Sequence, residues 1–174
     1  MPDTAVKIVG RHQRLAFMNT DSSGTTPTYE RLTGFTNVTN NKNPKEYSRQ
    51  YVDKESEDTD VVGYSPAIEY SFDRHTNTPA HEVICKVHDG ELTGSAALVD
   101  IIVVDLFTSD GDGKCVARKR TYAIIPDADG DGTDALIYTG SFKSKSDIET
   151  GTAILSEDGK TATYTAPAVP DEGQ

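Results

Sequence analysis

In the stretch NPKEYSRQYVDKESEDTDVVGYSPAIEYSFDR, residues 43–74, Tyr47, Arg49 and Tyr51 fall on one side of an extended chain, and Glu46, Ser48, Gln50 and Val52 on the other. Asp53, Lys54, Glu55, Ser56, Glu57 and Asp58 follow without an apolar residue that could tie them to a core, and a second arm runs from Thr59 to Phe72. The pattern predicts a protruding β-hairpin over residues 45–64, with Pro66 bending its return arm. At about 3.3 Å per residue, the arm from Lys45 to Asp53 reaches on the order of 30 Å, the width of a small domain. Tyr and Arg are enriched at buried contact centres. We therefore expect Tyr47, Arg49 and Tyr51 to meet a neighbouring subunit, with Asp53, Glu55, Glu57, Asp58 and Asp60 setting register against a basic partner. Two other readings compete, stacking on nucleic acid and a solvated hairpin without a partner. The acidic tip argues against the first, and the rarity of long unguarded edges against the second.

Around the hairpin the chain reads as mainly β. A short strand is expected around Leu15 to Met18, then a loop rich in Ser, Gly, Thr and Pro to Thr28, a strand over residues 29–38 and an Asn-rich turn ending at Pro44. Residues 79–89, PAHEVICKVHD, carry the only strong helix pattern. Thr78 can cap it, Pro79 suits its first position, Gly90 can stop it, and Ala80, Val83, Ile84 and Val87 form its apolar stripe. Strands follow over residues 97–108, 115–125, 136–143, 150–155 and 161–165, with a turn at 126–134. The fold class expected is a β-sandwich or partly closed β-barrel with one short flanking helix. An arm at residues 1–28 precedes the β domain at 29–166, and a flexible tail at 167–174 follows it.

The composition narrows the function. With 17 Lys and Arg against 28 Asp and Glu, the net charge is -11, which disfavours a general nucleic-acid-binding surface but suits one that DNA must pass without sticking. Cys85 and Cys115 are too few for a disulfide framework or a structural zinc site, so a reducing compartment is expected. The amino-terminal residues lack a signal-peptide run, and the longest apolar stretch is interrupted by Asp100 and Asp105.

No catalytic constellation emerges. Asp127, Asp129, Asp131 and Gly132 match the first half of an EF-hand loop, but Tyr138 stands where the bidentate Glu belongs and a strand follows where a helix should. They are weak metal candidates in an acidic turn. Asp110 and Asp112 resemble them, with Lys114 in a ligand position. His81 and His88 lie seven residues apart on the expected helix, too far for one metal without a third ligand, and are read as solvent-facing. No cofactor fingerprint, nucleophile elbow or phosphate loop is present.

The strings KEYSRQYVD, TDVVGYSPAIEYSFDR, the helix start PAHE, VDIIVVDLF, AIIPDADGDGTDALIYTGSFK, TGTA and DGKTATYT, spread from about Asn43 to Thr165, resemble the tail tube (major tail) proteins of tailed bacteriophages, particularly those of Gram-positive hosts. The resemblance implies a non-enzymatic virion protein without cofactors, made in the host bacterial cytoplasm. It would self-assemble into stacked, hexameric rings that form a hollow tube for DNA delivery. It places the hairpin, residues 45–64, between subunits and rings. It also implies tape measure, tail terminator and baseplate or distal tail proteins as partners, and double-stranded DNA passing through the lumen without specific binding. The alternatives are an inner-tube protein of a contractile tail or injection machine, and a calcium-dependent binding module using Asp127, Asp129 and Asp131.

Overall fold

The computed structural model describes residues 5–21, 23–130 and 132–169. In chain order its strands are β1 (Arg14–Asn19), β2 (Tyr29–Arg31), β3 (Phe35–Asn41), β4 (Pro44–Arg49), β5 (Asp58–Tyr64), β6 (Ala67–Asp73), β7 (Leu98–Asp105), β8 (Cys115–Gly130), β9 (Ile137–Ser144), β10 (Glu149–Leu155) and β11 (Thr161–Thr165). Helix α1 (Pro79–Gly90) lies between β6 and β7. Nine strands form one sheet in the order β10-β11-β2-β1-β7-β8-β9-β6-β3, while, among the described residues, β4 and β5 pair only with each other.

The length of β8 shapes this sheet. Over residues 115–119 it pairs with β10, and over 122–130 with β9, while β7 follows its other edge. The β8–β10 ladder closes β8, β7, β1, β2, β11 and β10 into a hydrogen-bonded ring, and β9, β6 and β3 extend the sheet away from it. Phe17, Tyr29, Ile102, Val104, Cys115, Ala117, Ala153 and Ala162 form one buried cluster with a member from each ring strand, so the ring interior is packed.

A second core lies between the extended sheet and α1. Ile68, Tyr70 and Phe72 alternate inward along β6, and Tyr138 and Phe142 do so along β9, meeting Ala80, Ile84, Cys85 and Val87 of the helix. Rings stack here, Phe72 on Tyr138 at 5.5 Å and Phe72 on His81 at 4.3 Å between centroids. Because β7 borders both cores, Val99 and Ile101 are buried on one face and Ile102 and Val104 on the other, which explains its nearly continuous apolar sequence.

Several expectations are corrected. His81 and His88 are buried, not solvent-facing, because the inward arc of α1 is wide enough to include both beside Ile84 and Val87. His75 N–H donates to His81 Nδ1 at 3.1 Å, and His81 Nε2 meets the Thr33 carbonyl oxygen at 2.6 Å, which fixes a neutral imidazole protonated at Nε2. His88 Nε2 lies 2.8 Å from Tyr70 Oη. Burial lowers the pKa of both rings. Glu91 at φ 47°, not Gly90, takes the left-handed stop, and Thr78 occupies the N-cap without a side-chain cap bond.

The strand expected over 29–38 is two strands, broken at Gly34. Its φ of 76° suits glycine, and a Cβ there would come within 2.9 Å of His75 Nδ1. The turn expected at 126–134 begins later, since β8 runs to Gly130. An extra residue at Asp127 bulges the ladder beside Pro126, which tolerates the missing proline N–H. The strand expected around Leu15 to Met18 is β1, which pairs with both β2 and β7 inside the sheet.

Candidate subunit interface

The hairpin is a continuation of two sheet strands. Its base is set where Asn41 pairs with Ala67, the Ser65 N–H donates to the Asn43 carbonyl at 3.1 Å, and Pro44 pairs with Tyr64. Asn43 at φ 44° and Pro66 mark the bend at which β3 becomes β4 and β5 becomes β6. Beyond it the ribbon leaves the body. Every residue of β4 is exposed, and β5 is nearly so.

On one face Tyr47 stands opposite Asp60 and Arg49 opposite Asp58, and on the other Ser48 and Thr59 share a hydroxyl hydrogen bond of 2.8 Å. The Arg49 guanidinium lies 5.8 Å from the centre of the Tyr47 ring. Tyr51 falls past the last strand pair, where Lys54 Nζ sits 5.9 Å from its ring centre. The tip is closed by a Lys54 N–H to Tyr51 carbonyl bond, a Gln50 side-chain bond to the Glu55 carbonyl, and a Lys54–Asp58 ion pair. Asp53, Glu55 and Glu57 are exposed around it.

The structure thus brings Tyr47, Arg49, Asp58 and Asp60 onto one face, with Tyr51 and the other acids at the far end. Val52, Val61, Val62 and Tyr64 add large exposed apolar surface to the same element. Such a concentration on one projection, with no core behind it, is surface that a partner would cover.

The weak metal candidates do not converge. Asp127 sits at the bulge with Thr139 Oγ1 donating to it at 3.4 Å, Asp129 pairs with Tyr138 in the ladder, and Asp131 lies outside the described residues. No cluster of three or more His, Cys, Asp or Glu able to hold a metal occurs among the described residues. Asp110 accepts the backbone N–H groups of Asp112 and Lys114, so its carboxylate shapes its own turn.

One group of residues escaped the sequence reading. A groove of about 320 Å³ between β3 and the β1-β7-β8 strands is lined by Arg11, Arg14, Lys42, Arg118 and Arg120, with Val38, Ile68 and Ile148 among its apolar walls. Asp105, 1% exposed, lies against it and accepts from Arg14 Nε at 2.5 Å, Arg14 Nη2 at 3.0 Å and Arg118 Nη1 at 2.6 Å. Burial alone would push the Asp105 carboxyl up, but the two guanidinium groups outweigh it and hold it below the usual range. Lys42 is shifted down, first by burial and then by Arg120, Arg14 and Arg118. The cations come from three separate segments, around residues 11–14, 42 and 118–120, so no local motif announces them. The spacing of Arg118 and Arg120, which puts both on one face of β8, is the only sequence signal.

No known family's sequence model matches the chain, and no curated protein matches it. Solved structures do. The hybrid solid-state NMR and cryo-EM structure of the SPP1 tail tube superposes with a TM-score of 0.63, covering 95% of this chain and 84% of that one at 10% identity. A chain of the anti-feeding prophage baseplate, 6-fold symmetrised, has a TM-score of 0.50 at 10% identity over 84% of this chain and 97% of its own. A chain of the tail of the empty GTA particle, refined with C6 symmetry, has a TM-score of 0.50 at 13% identity over 81% and 97%. Over nearly its whole length, this chain therefore has the fold of a tail tube protein.

Proposed function

We propose that this chain is a structural virion protein that self-assembles into stacked hexameric rings, forming the tail tube through which DNA is delivered. The observation that carries the reading is the union of a tail-tube fold with a hairpin that joins no other strand among the described residues. The anti-feeding prophage and GTA assemblies, both with sixfold symmetry, favour a ring of six. In the tube the hairpin bridges to a neighbouring subunit or ring through Tyr47, Arg49, Tyr51 and the acids Asp53, Glu55, Glu57, Asp58 and Asp60. β3 ends the sheet, no strand among the described residues pairs with its outer edge, and pairing that edge, mostly Asn and Thr, with another copy would extend the sheet around the ring.

The chain catalyses nothing in this role and needs no cofactor. The tape measure, tail terminator and baseplate or distal tail proteins are its other partners, and a net charge of -11 lets DNA pass without adhering. A tube inside a contractile tail is the second reading, favoured by the likeness to the prophage baseplate chain. Purified protein is expected to form rings or tubes of uniform diameter as its concentration rises. Persistent monomers in the presence of an initiating tail-tip complex would refute the role.

A further inference from the structure

Among the described residues, the groove between β3 and the β1-β7-β8 strands gathers far more cations than anions. Five cations line it, and the one carboxylate among the described residues that pairs with them, Asp105, is already shared between Arg14 and Arg118, which leaves a net charge of four positive among these groups. In a protein of net charge -11 this is a sharp local reversal. The Nε of Arg120 is buried and meets no hydrogen-bond acceptor among the described residues, a donor normally satisfied in a finished structure.

We propose that this groove is the receptor for the acidic hairpin tip, residues 53–60, of a second copy of the chain. The inference rests on the tube assembly proposed above and names the surface on which its bridging hairpin lands. The charges match: residues 53–60 hold five carboxylates against Lys54, a net of four negative. No residue of the tip lines the groove of its own subunit. Lys42 lines the groove at the root of the hairpin, and paired strand from Pro44 to Arg49 carries the tip away from it by roughly 20 Å. A head-to-tail contact follows, in which each subunit gives a tip and receives one, the arrangement that produces rings and stacks. Seating the tip would place a carboxylate within reach of Arg120 and cancel the repulsion among the groove cations.

Carbodiimide cross-linking of a mixed population, half isotopically labelled, tests the contact directly. The expected product joins Lys42 of one chain to Asp53, Glu55, Glu57 or Asp58 of another, recognised by its mixed label. Tubes that form without this cross-link overturn the inference and leave the tube assignment standing. A protein that neither assembles nor cross-links at high concentration overturns both. In parallel, the charge changes Lys42→Glu with Arg120→Gln, or Glu55→Lys with Glu57→Lys, are expected to lower assembly rate at least about tenfold while circular dichroism of the monomer is unchanged. Unchanged assembly in both variants refutes the contact. Tight binding of a short double-stranded DNA that is lost in the groove variant would show a phosphate site instead, and would also overturn it.

Discussion

Replacing Asp105 by Asn probes the best-defined polar site in the fold. The wild-type carboxylate accepts three N–H bonds from Arg14 and Arg118 while 1% exposed. Asparagine keeps one acceptor oxygen but turns an NH2 toward a guanidinium, so at least one charge-assisted bond becomes a donor–donor clash. Breaking a buried pair from one side costs about 3–5 kcal/mol. Here the arginines are 52% and 37% exposed and can recover water, which places the loss at the lower end, about 2–3 kcal/mol. For a chain of this size that lowers the melting temperature by about 4–12 °C. Urea titration at pH 7, with exposed Asp158→Asn as control, reads it. Because Asp105 titrates below the ordinary carboxylate value of 3.8 in the fold, its contribution is full above that value and fades as pH falls through the folded pKa. The gap between wild type and variant is therefore expected to close in acid. A loss under about 0.5 kcal/mol at pH 7, or a gap that stays constant down to about pH 2, would refute the assignment of Asp105 as the shared anion.

Three further outcomes follow. Deleting residues 53–58 should leave monomer stability within about 0.5 kcal/mol of wild type, since the hydrogen bonds and ion pair described for the tip stay within the hairpin, yet abolish stacking; wild-type tube yield from the deletion would rule out the bridging role. His81 and His88 titrate below the ordinary value of 6.5 in the fold. The unfolded chain thus takes up protons first, and stability present above about pH 6.5 should decline as pH drops below it, whereas a flat unfolding midpoint from about pH 7.5 to 5 would contradict their neutral burial. Gly140→Ala should cost about 1–3 kcal/mol because a Cβ there would strike the Tyr70 hydroxyl and the Ile125 carbonyl, and a silent substitution would show that β6 and β9 can separate.

How far the sequence disclosed this fold depended on whether the signal was local. The helix was legible because Pro79 at its first turn and the apolar stripe Ala80, Val83, Ile84 and Val87 are contiguous, and the hairpin because its alternation and polar tip are contiguous. His81 and His88 were misplaced because polarity was taken to mean exposure. The acceptor for His81, the Thr33 carbonyl, is 48 positions away, and the hydroxyl beside His88 belongs to Tyr70, 18 positions away. The end of β8 was misjudged at Pro126, where a bulge rescues a residue that ordinarily ends a strand. The cationic groove lay furthest from view. Its members become neighbours only when β1, β3, β7 and β8 are folded together, and a strongly negative total conceals a local positive excess.

Cryo-EM of the assembled protein, at a resolution that traces the chain, tests the central claim most directly. The expected result is a hollow tube of stacked sixfold rings in which residues 44–64 of each subunit lie against another copy, with Tyr47 and Arg49 covered. Rings or tubes in which every hairpin projects freely into solvent would contradict it.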